Sequence, residues 1–175
     1  VDKTGTITIG KPTLVDIQNW STWQVDQFIS VLASLEKKSE HPIAHAIVSY
    51  ADDPEGKSTF YGAGQKIEFL EVQNFESLQG KGLKGTISGI EYFVGNAKLI
   101  KDLGLTFDVS QIEQYTAQGK TPVILATKEK VLGFVMVADE IKNESKKAVA
   151  DLHKLGIKVI MLTGDDEKAA KYMAS

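Results

Sequence analysis

The chain opens with Val1-Asp2-Lys3-Thr4-Gly5-Thr6, and this stretch constrains the fold more than any other. An apolar residue followed by a short polar run with a glycine reads as the end of a buried strand and the tight turn after it. In open α/β folds ligands bind at the carboxyl edge of the strands, so such a turn sets one carboxylate, Asp2, at that edge. Lys3 adds a cation, and Thr4, Gly5 and Thr6 add hydroxyls and unshielded backbone N–H groups. This is equipment for holding phosphate oxygens beside a nucleophilic carboxylate. A catalytic strand should not begin at residue 1, so the expectation is of a chain cut from something larger.

A matching edge is expected near the other end. Lys142 to Leu155 has helical spacing, with Ala148, Val149, Leu152 and Leu155 inward and Gly156 as a stop. Ile157 to Leu162 is an almost continuous apolar run, as in a parallel strand buried on both faces. Thr163-Gly164-Asp165-Asp166 follows, and then a last helix from about Glu167. A Thr and a Gly directly after such a strand place a hydroxyl and an open N–H at the edge that also carries Asp2.

Between these ends the pattern changes. Residues 7–18 contain a Gly-Lys-Pro break and then alternate like a half-buried strand. Ser21 or Thr22 can cap a helix whose apolar positions are Val25, Phe28, Ile29, Leu32 and Leu35; that stripe reads as core. Lys37-Lys38-Ser39 ends it. Pro42 suits the first turn of a second helix, with Ile43, Ala46, Ile47 and Tyr50 inward. Asp52 to Gly56 is an acidic surface loop. Phe60 to Ala63, Lys66 to Val72, Gly85 to Ser88 and Glu91 to Val94 are candidate strands, with Ser88-Gly89 as a turn. Ala97 to Leu103 and Ser110 to Gln118 are short helices stopped by Gly104 and Gly119. Pro122 to Thr127 and Val131 to Val137 form a hairpin around Lys128-Glu129-Lys130. The expectation is an antiparallel, two-layer α+β body over residues 13–134, inserted into an α/β domain made of residues 1–12 and 135–175.

Composition narrows the classes. The net charge of -3 gives no reason to expect nucleic acid or an anionic membrane as a partner. The chain has no Cys, which removes disulfides, thiolate metal sites and cysteine catalysis from this segment. No apolar run approaches a membrane span; the longest, Val131 to Ala138, is broken by Gly133.

Several residues of the insert have the chemistry of a nucleotide pocket. The ring of His41, in Ser39-Glu40-His41-Pro42, can stack on a purine and hydrogen-bond its edge, or simply cap the helix that Pro42 begins. Glycine lets backbone approach a flat base or a phosphate closely, which gives Gly80, Gly82 and Gly95 a role beyond a strand turn. His41 and His45 are spaced for a metal pair, but nothing around them has the layout of a zinc-protease motif.

Taken in order, Asp-Lys-Thr-Gly-Thr at 2–6, Ser-Glu-His-Pro at 39–42, Gly-Lys-Gly at 80–82, Gly-Asn at 95–96 and Thr-Gly-Asp at 163–165 resemble the motifs of the heavy-metal P-type ATPases. These are ion pumps that pass through an aspartyl-phosphate. The resemblance covers essentially the whole chain. It implies a truncated haloacid-dehalogenase-like Rossmann domain with an inserted antiparallel-sheet α+β nucleotide-binding domain. It further implies Asp2 as the nucleophile, with Lys3, Thr4, Thr163, Gly164 and Asp165 around the phosphoryl group. ATP would be held by Glu36, Glu40, His41, Gly80, Gly82, Gly95 and Asn96, with Glu36 resembling a ligand to the adenine amino group. Mg²⁺ would sit on Asp2 and the backbone carbonyl of Thr4. Asp139, in Asp139-Glu140-Ile141-Lys142, resembles the aspartate that pairs the two linkers where the chain returns from the insert. Thr121-Pro122 resembles a segment of the copper-type members, so copper is favoured over zinc or cadmium.

Two departures matter. Asp166 stands where the family usually has Asn. Thr4 stands where related phosphatases carry a second Asp as acid and base, and positioned proton transfer of that kind contributes roughly 10²–10⁴-fold. A phosphatase is therefore the weaker reading and a long-lived phosphoenzyme the stronger. A later Mg²⁺-binding motif and a further Lys of the family lie beyond Ser175, so the chain alone is expected to bind ATP with little or no turnover. The expected partners are ATP and the membrane and actuator domains of the same pump, at the cytoplasmic face of a membrane. The transported ion is expected to bind elsewhere. A non-catalytic module that docks other domains is the remaining alternative.

Overall fold

The computed structural model describes residues 6–53, 67–139 and 142–160, without the side chains of residues 143 and 146. Strand β1 (Thr13–Asn19) leads to helices α1 (Val25–Glu36) and α2 (Pro42–Ala51). A meander of β2 (Gln73–Leu78), β3 (Gly82–Ile87) and β4 (Ile90–Gly95) follows. Then come α3 (Ala97–Asp102), α4 (Val109–Thr116), the hairpin β5 (Thr121–Thr127) and β6 (Val131–Ala138), and α5 (Asn143–Lys154).

These strands make one sheet in the order β1-β6-β5-β4-β3-β2, with every neighbouring pair antiparallel. The expected hairpins are present, including the turn at Ser88 and Gly89, both at positive φ. The expected two layers become three, because the central strands β5 and β6 are buried on both faces. Leu83, Ile87, Tyr92, Val94, Leu125, Val135 and Val137 pack with α1 and α2 on one face. Ile124, Ala126, Phe134 and Met136 pack with Ile100 of α3 and Ile112 of α4 on the other.

Helix α1 departs furthest from its apolar stripe. Every residue from Phe28 to Glu36 is buried, polar ones included. The reason lies in residues 67–72, expected as a strand. They form none; they run across the outer side of α1 and bond to its serines. Ser30 Oγ donates to the Glu68 carbonyl, and the Leu70 N–H donates to Ser34 Oγ at 2.8 Å. Ile67, Phe69, Leu70 and Val72 cover the helix there. Its cap also differs from expectation. The residue before the helix is Gln24, without a side-chain bond. Ser21 Oγ instead donates to Asn19 Oδ1 and accepts from the Trp23 N–H.

Strand β2 was not expected from the sequence. Its residues are mostly exposed, and it is held by its ladder to β3, with an irregular register where Asn74 takes positive φ. No apolar alternation marks such an edge strand.

Near the ends, Ala148 and Leu155 of α5, expected inward, are exposed, Leu155 by 75%. Residues 157–160, expected as a buried strand, form none, and Ile157 and Ile160 are exposed. Among the described residues no strand lies alongside them to accept their hydrogen bonds. The two segments that flank the sheet are joined: Asp139 Oδ1 accepts from the Gly10 N–H at 3.1 Å, and the Lys142 N–H donates to the Ile7 carbonyl at 3.0 Å. Ser145 Oγ donates to the Thr6 carbonyl at 3.2 Å. No helix among the described residues is long and apolar enough to cross a membrane.

Candidate nucleotide-binding site

The expected site residues fall into three groups. Asp2, Lys3, Thr4, Thr163, Gly164 and Asp165 lie outside the described residues, and so do the expected Mg²⁺ ligands. The other two groups lie among the described residues.

The first is the turn between α1 and α2. Glu36 is the last residue of α1 and only 6% exposed. Its backbone carbonyl accepts from the Ser39 N–H at 2.8 Å, and Ser39 Oγ accepts from the His41 N–H at 3.3 Å. His41 caps α2, its Nδ1 accepting from the Ile43 N–H at 3.2 Å. An accepting Nδ1 puts the ring proton of the neutral imidazole on Nε2. Capping and ligand contact are therefore compatible, since the cap occupies one nitrogen and leaves Nε2–H and the exposed ring free. Glu40 is exposed. Burial pushes the Glu36 carboxyl up to about 7, and no neighbouring charge contributes.

The second group is the β2–β3 turn and the end of β4. Gly82 and Gly95 are direct partners across the β3–β4 ladder. A Cβ at Gly82 would lie 2.0 Å from the Val94 carbonyl oxygen, and one at Gly95 would lie 2.1 Å from that of Lys81. Both glycines are thus required by close backbone approach. Gly80, at φ 69°, has open space where a Cβ would stand. Asn96 joins the pieces: its N–H donates to the Lys81 carbonyl, its Nδ2 donates to the Gly80 carbonyl at 3.0 Å, and its Oδ1 caps α3 through the Leu99 N–H. All four expected residues, Gly80, Gly82, Gly95 and Asn96, are brought together.

Packing of α1 on the sheet relates the two groups. Leu35, next to Glu36, lies against Gly85 of β3, where a Cβ would come within 2.8 Å of its Cδ2. Sequence reasoning passes over Asp102. Its carboxylate takes the Lys81 ammonium at 2.7 Å, which ties the glycine turn to the far end of α3 and holds the Asp102 carboxyl below the usual range. No motif signals this contact. A cleft of about 510 Å³ lined by Trp20, Phe107, Asp108 and Lys130 contains none of the expected residues.

The sequence matches the haloacid dehalogenase-like hydrolase family over residues 1–175. The chain belongs to that family. It is 38% identical over its whole length to the copper-exporting P-type ATPase of Staphylococcus saprophyticus subsp. saprophyticus, of which it covers 20%. It is 39% identical, over 99% of its length, to copper-exporting P-type ATPase B of Archaeoglobus fulgidus, of which it covers 23%. The chain thus spans about a fifth of the length of these curated relatives. Among solved structures it is similar to a zinc-transporting PIB-type ATPase in an E2.Pi state, with a TM-score of 0.66 and 25% identity over 99% of this chain and 26% of that one. It is also similar to the catalytic domain of the CPx-ATPase CopB-B, solved to follow conformational changes upon nucleotide binding, with a TM-score of 0.63 and 25% identity over 99% of this chain and 54% of that one. The resemblance to heavy-metal P-type ATPases is thus borne out by the chain's relatives, and so is the antiparallel sheet within a haloacid-dehalogenase-like fold.

Proposed function

We propose that this chain is the ATP-binding part of the cytosolic region of a heavy-metal P-type ATPase, facing the cytoplasm beside the membrane portion of the same pump. The insert, residues 13–134, takes ATP. His41 stacks on the adenine, Glu36 hydrogen-bonds its edge, and the Gly80–Gly82 turn with Gly95 and Asn96 receives the rest of the nucleotide. In the full-length pump a carboxylate oxygen of Asp2 attacks the γ-phosphorus, the bond to the bridging oxygen breaks, and ADP leaves an acyl-phosphate behind. Lys3, Thr4, Thr163, Gly164 and Asp165 hold the phosphoryl oxygens during that transfer. Mg²⁺, on Asp2 and the Thr4 carbonyl, would neutralise phosphate charge.

The observation that carries this reading is the convergence of Gly80, Gly82, Gly95 and Asn96 through the bonds of one asparagine. The relatives support the pump. Their names favour copper as the ion, although a zinc transporter stands among the similar structures. The ion itself is expected to bind in the membrane portion.

The test is an ATP titration followed by backbone amide shifts, with His41→Gln in parallel. Shifts clustered on Glu36, His41, Gly80, Gly82, Gly95 and Asn96, and weaker in the variant, are expected. If ATP moves none of them, a non-catalytic docking module becomes the better account.

A further inference from the structure

Glu36 is an acid buried without a partner. It is 6% exposed, and its side chain makes no hydrogen bond or ion pair. No fully buried side-chain oxygen or nitrogen among the described residues lacks a partner. The unpaired Glu36 oxygens therefore keep a sliver of accessible surface, and a ligand can reach them.

The charged groups on the elements around Glu36 are engaged elsewhere or exposed. On its own helix and the following turn, Asp26 lies in the first turn, Lys37 sits 4.2 Å over the Phe69 ring, and Lys38 and Glu40 are exposed. On α2, His41 bonds Ile43 and His45 is exposed. On β3 and the turn before it, Lys84 pairs with Glu76 and Lys81 with Asp102. On β4, Glu91 pairs with Lys128 and Tyr92 is buried in the core. The covering segment adds Glu68 and Glu71, which carry the same sign as Glu36. An ionised carboxylate here has little contact with solvent and no neighbouring cation to stabilise it, so burial favours the protonated form. The C-terminal end of the helix dipole acts in the same direction.

We propose that Glu36 meets the nucleobase as the neutral carboxylic acid, with its carbonyl oxygen accepting and its O–H donating, and that this selects adenine over guanine. The inference rests on the nucleotide reading above and adds the protonation state. The Watson–Crick edge of adenine presents an amino donor beside a ring-nitrogen acceptor. A neutral acid matches both. A carboxylate has only acceptors and would set one oxygen against the ring nitrogen lone pair. Guanine presents two adjacent donors, from its ring N–H and its amino group, and so pairs better with the ionised form. Discrimination is strong where a mismatched base leaves buried polar groups unpaired.

The test compares ATP and GTP binding to this chain between about pH 5.5 and about pH 8.5. It is read by amide shifts, with the Glu36 side-chain carboxyl carbon followed in the same samples. The two triphosphates titrate alike, so their own ionisation cancels in the ratio. The ratio of ATP to GTP affinity is expected to fall as pH rises, by up to about tenfold per pH unit above the Glu36 midpoint. The carboxyl carbon should titrate over the same range. Glu36→Gln, whose amide is permanently both donor and acceptor, should keep the preference for ATP flat across that range. A ratio indifferent to pH, or a carboxyl carbon already ionised at the acid end, overturns the inference and leaves the nucleotide site standing. No shift with either nucleotide at any pH overturns the nucleotide reading, and the inference with it.

Discussion

A carboxyl buried without a partner couples folding to pH. The Glu36 carboxyl is raised by burial to about 7, well above its ordinary value. Below its unfolded value both states hold the proton. Between that value and about 7 only the folded state does, so stability falls as pH rises through this window and is level above it. The loss is of order 3 kcal/mol. Glu36→Gln should abolish this slope and make the protein more stable than the parent near pH 8, as read by urea unfolding across pH; equal slopes would show that Glu36 ionises freely when folded. The glycines allow a second comparison. Gly82→Ala drives a Cβ into the Val94 carbonyl and should cost about 3 kcal/mol or more. Gly80→Ala meets open space at positive φ and should cost about 1 kcal/mol. The same unfolding curves check both. The motif residues around the glycines were legible in the sequence because each carries a distinctive chemistry. The burial of Glu36 was not, because Glu36-Lys37-Lys38-Ser39-Glu40 reads as a solvated helix end. The outer side of α1 is covered by a segment more than 30 residues downstream in sequence, whose link to α1 runs through Ser30 and Ser34.

The same link governs α1 as an element. Ser34→Ala leaves the Leu70 N–H without its acceptor inside a partly buried contact, a loss of about 1–3 kcal/mol. Hydrogen exchange at Leu70 should quicken in the variant; unchanged protection would mean that the covering segment is held by its apolar side chains alone. Asn96 serves α3 and the glycine turn at once, and a substitution can separate the two. Asn96→Ser keeps a capping oxygen for the Leu99 N–H but is too short to reach the Gly80 carbonyl. Stability should change by less than about 1 kcal/mol, while ATP affinity falls by several-fold if the turn must be held open for the nucleotide. Equal affinity would confine Asn96 to capping. Helices α1 to α4 and the β5–β6 hairpin could be read from periodicity and turn residues. Strand β2 could not, because it takes its place from its ladder to β3 rather than from an apolar face. The inward face expected for α5 failed at Ala148 and Leu155, since periodicity marks a face that is able to pack and does not say what packs on it.

At the scale of the molecule, the first and last described strands of the sheet, β1 and β6, lie side by side. The flanking segments meet at Asp139 and Gly10. Asp139→Ala removes the acceptor of the Gly10 N–H. It should speed exchange at Gly10 while the unfolding midpoint of the sheet stays nearly constant. A large fall in that midpoint would make the contact a support of the sheet rather than a tie between its two flanking segments. The three-layer arrangement was not legible, because a continuous apolar strand such as β6 looks the same whether one helical layer or two will cover it.

The adjacency of β1 and β6 also has a consequence in time. A ribosome delivers residues at roughly 5–20 per second, and β1 leaves it before the other described strands. Its only partner in the described sheet is the last of the described strands to be made. For roughly ten seconds on that scale Leu14 and Ile17 wait with no sheet to cover them, while the β2–β4 meander can close as it emerges. The newborn chain thus carries an open strand until β6 is made, and the interval in which β1 is most exposed to chaperones or to other nascent chains ends only when Val131 to Ala138 has cleared the exit tunnel.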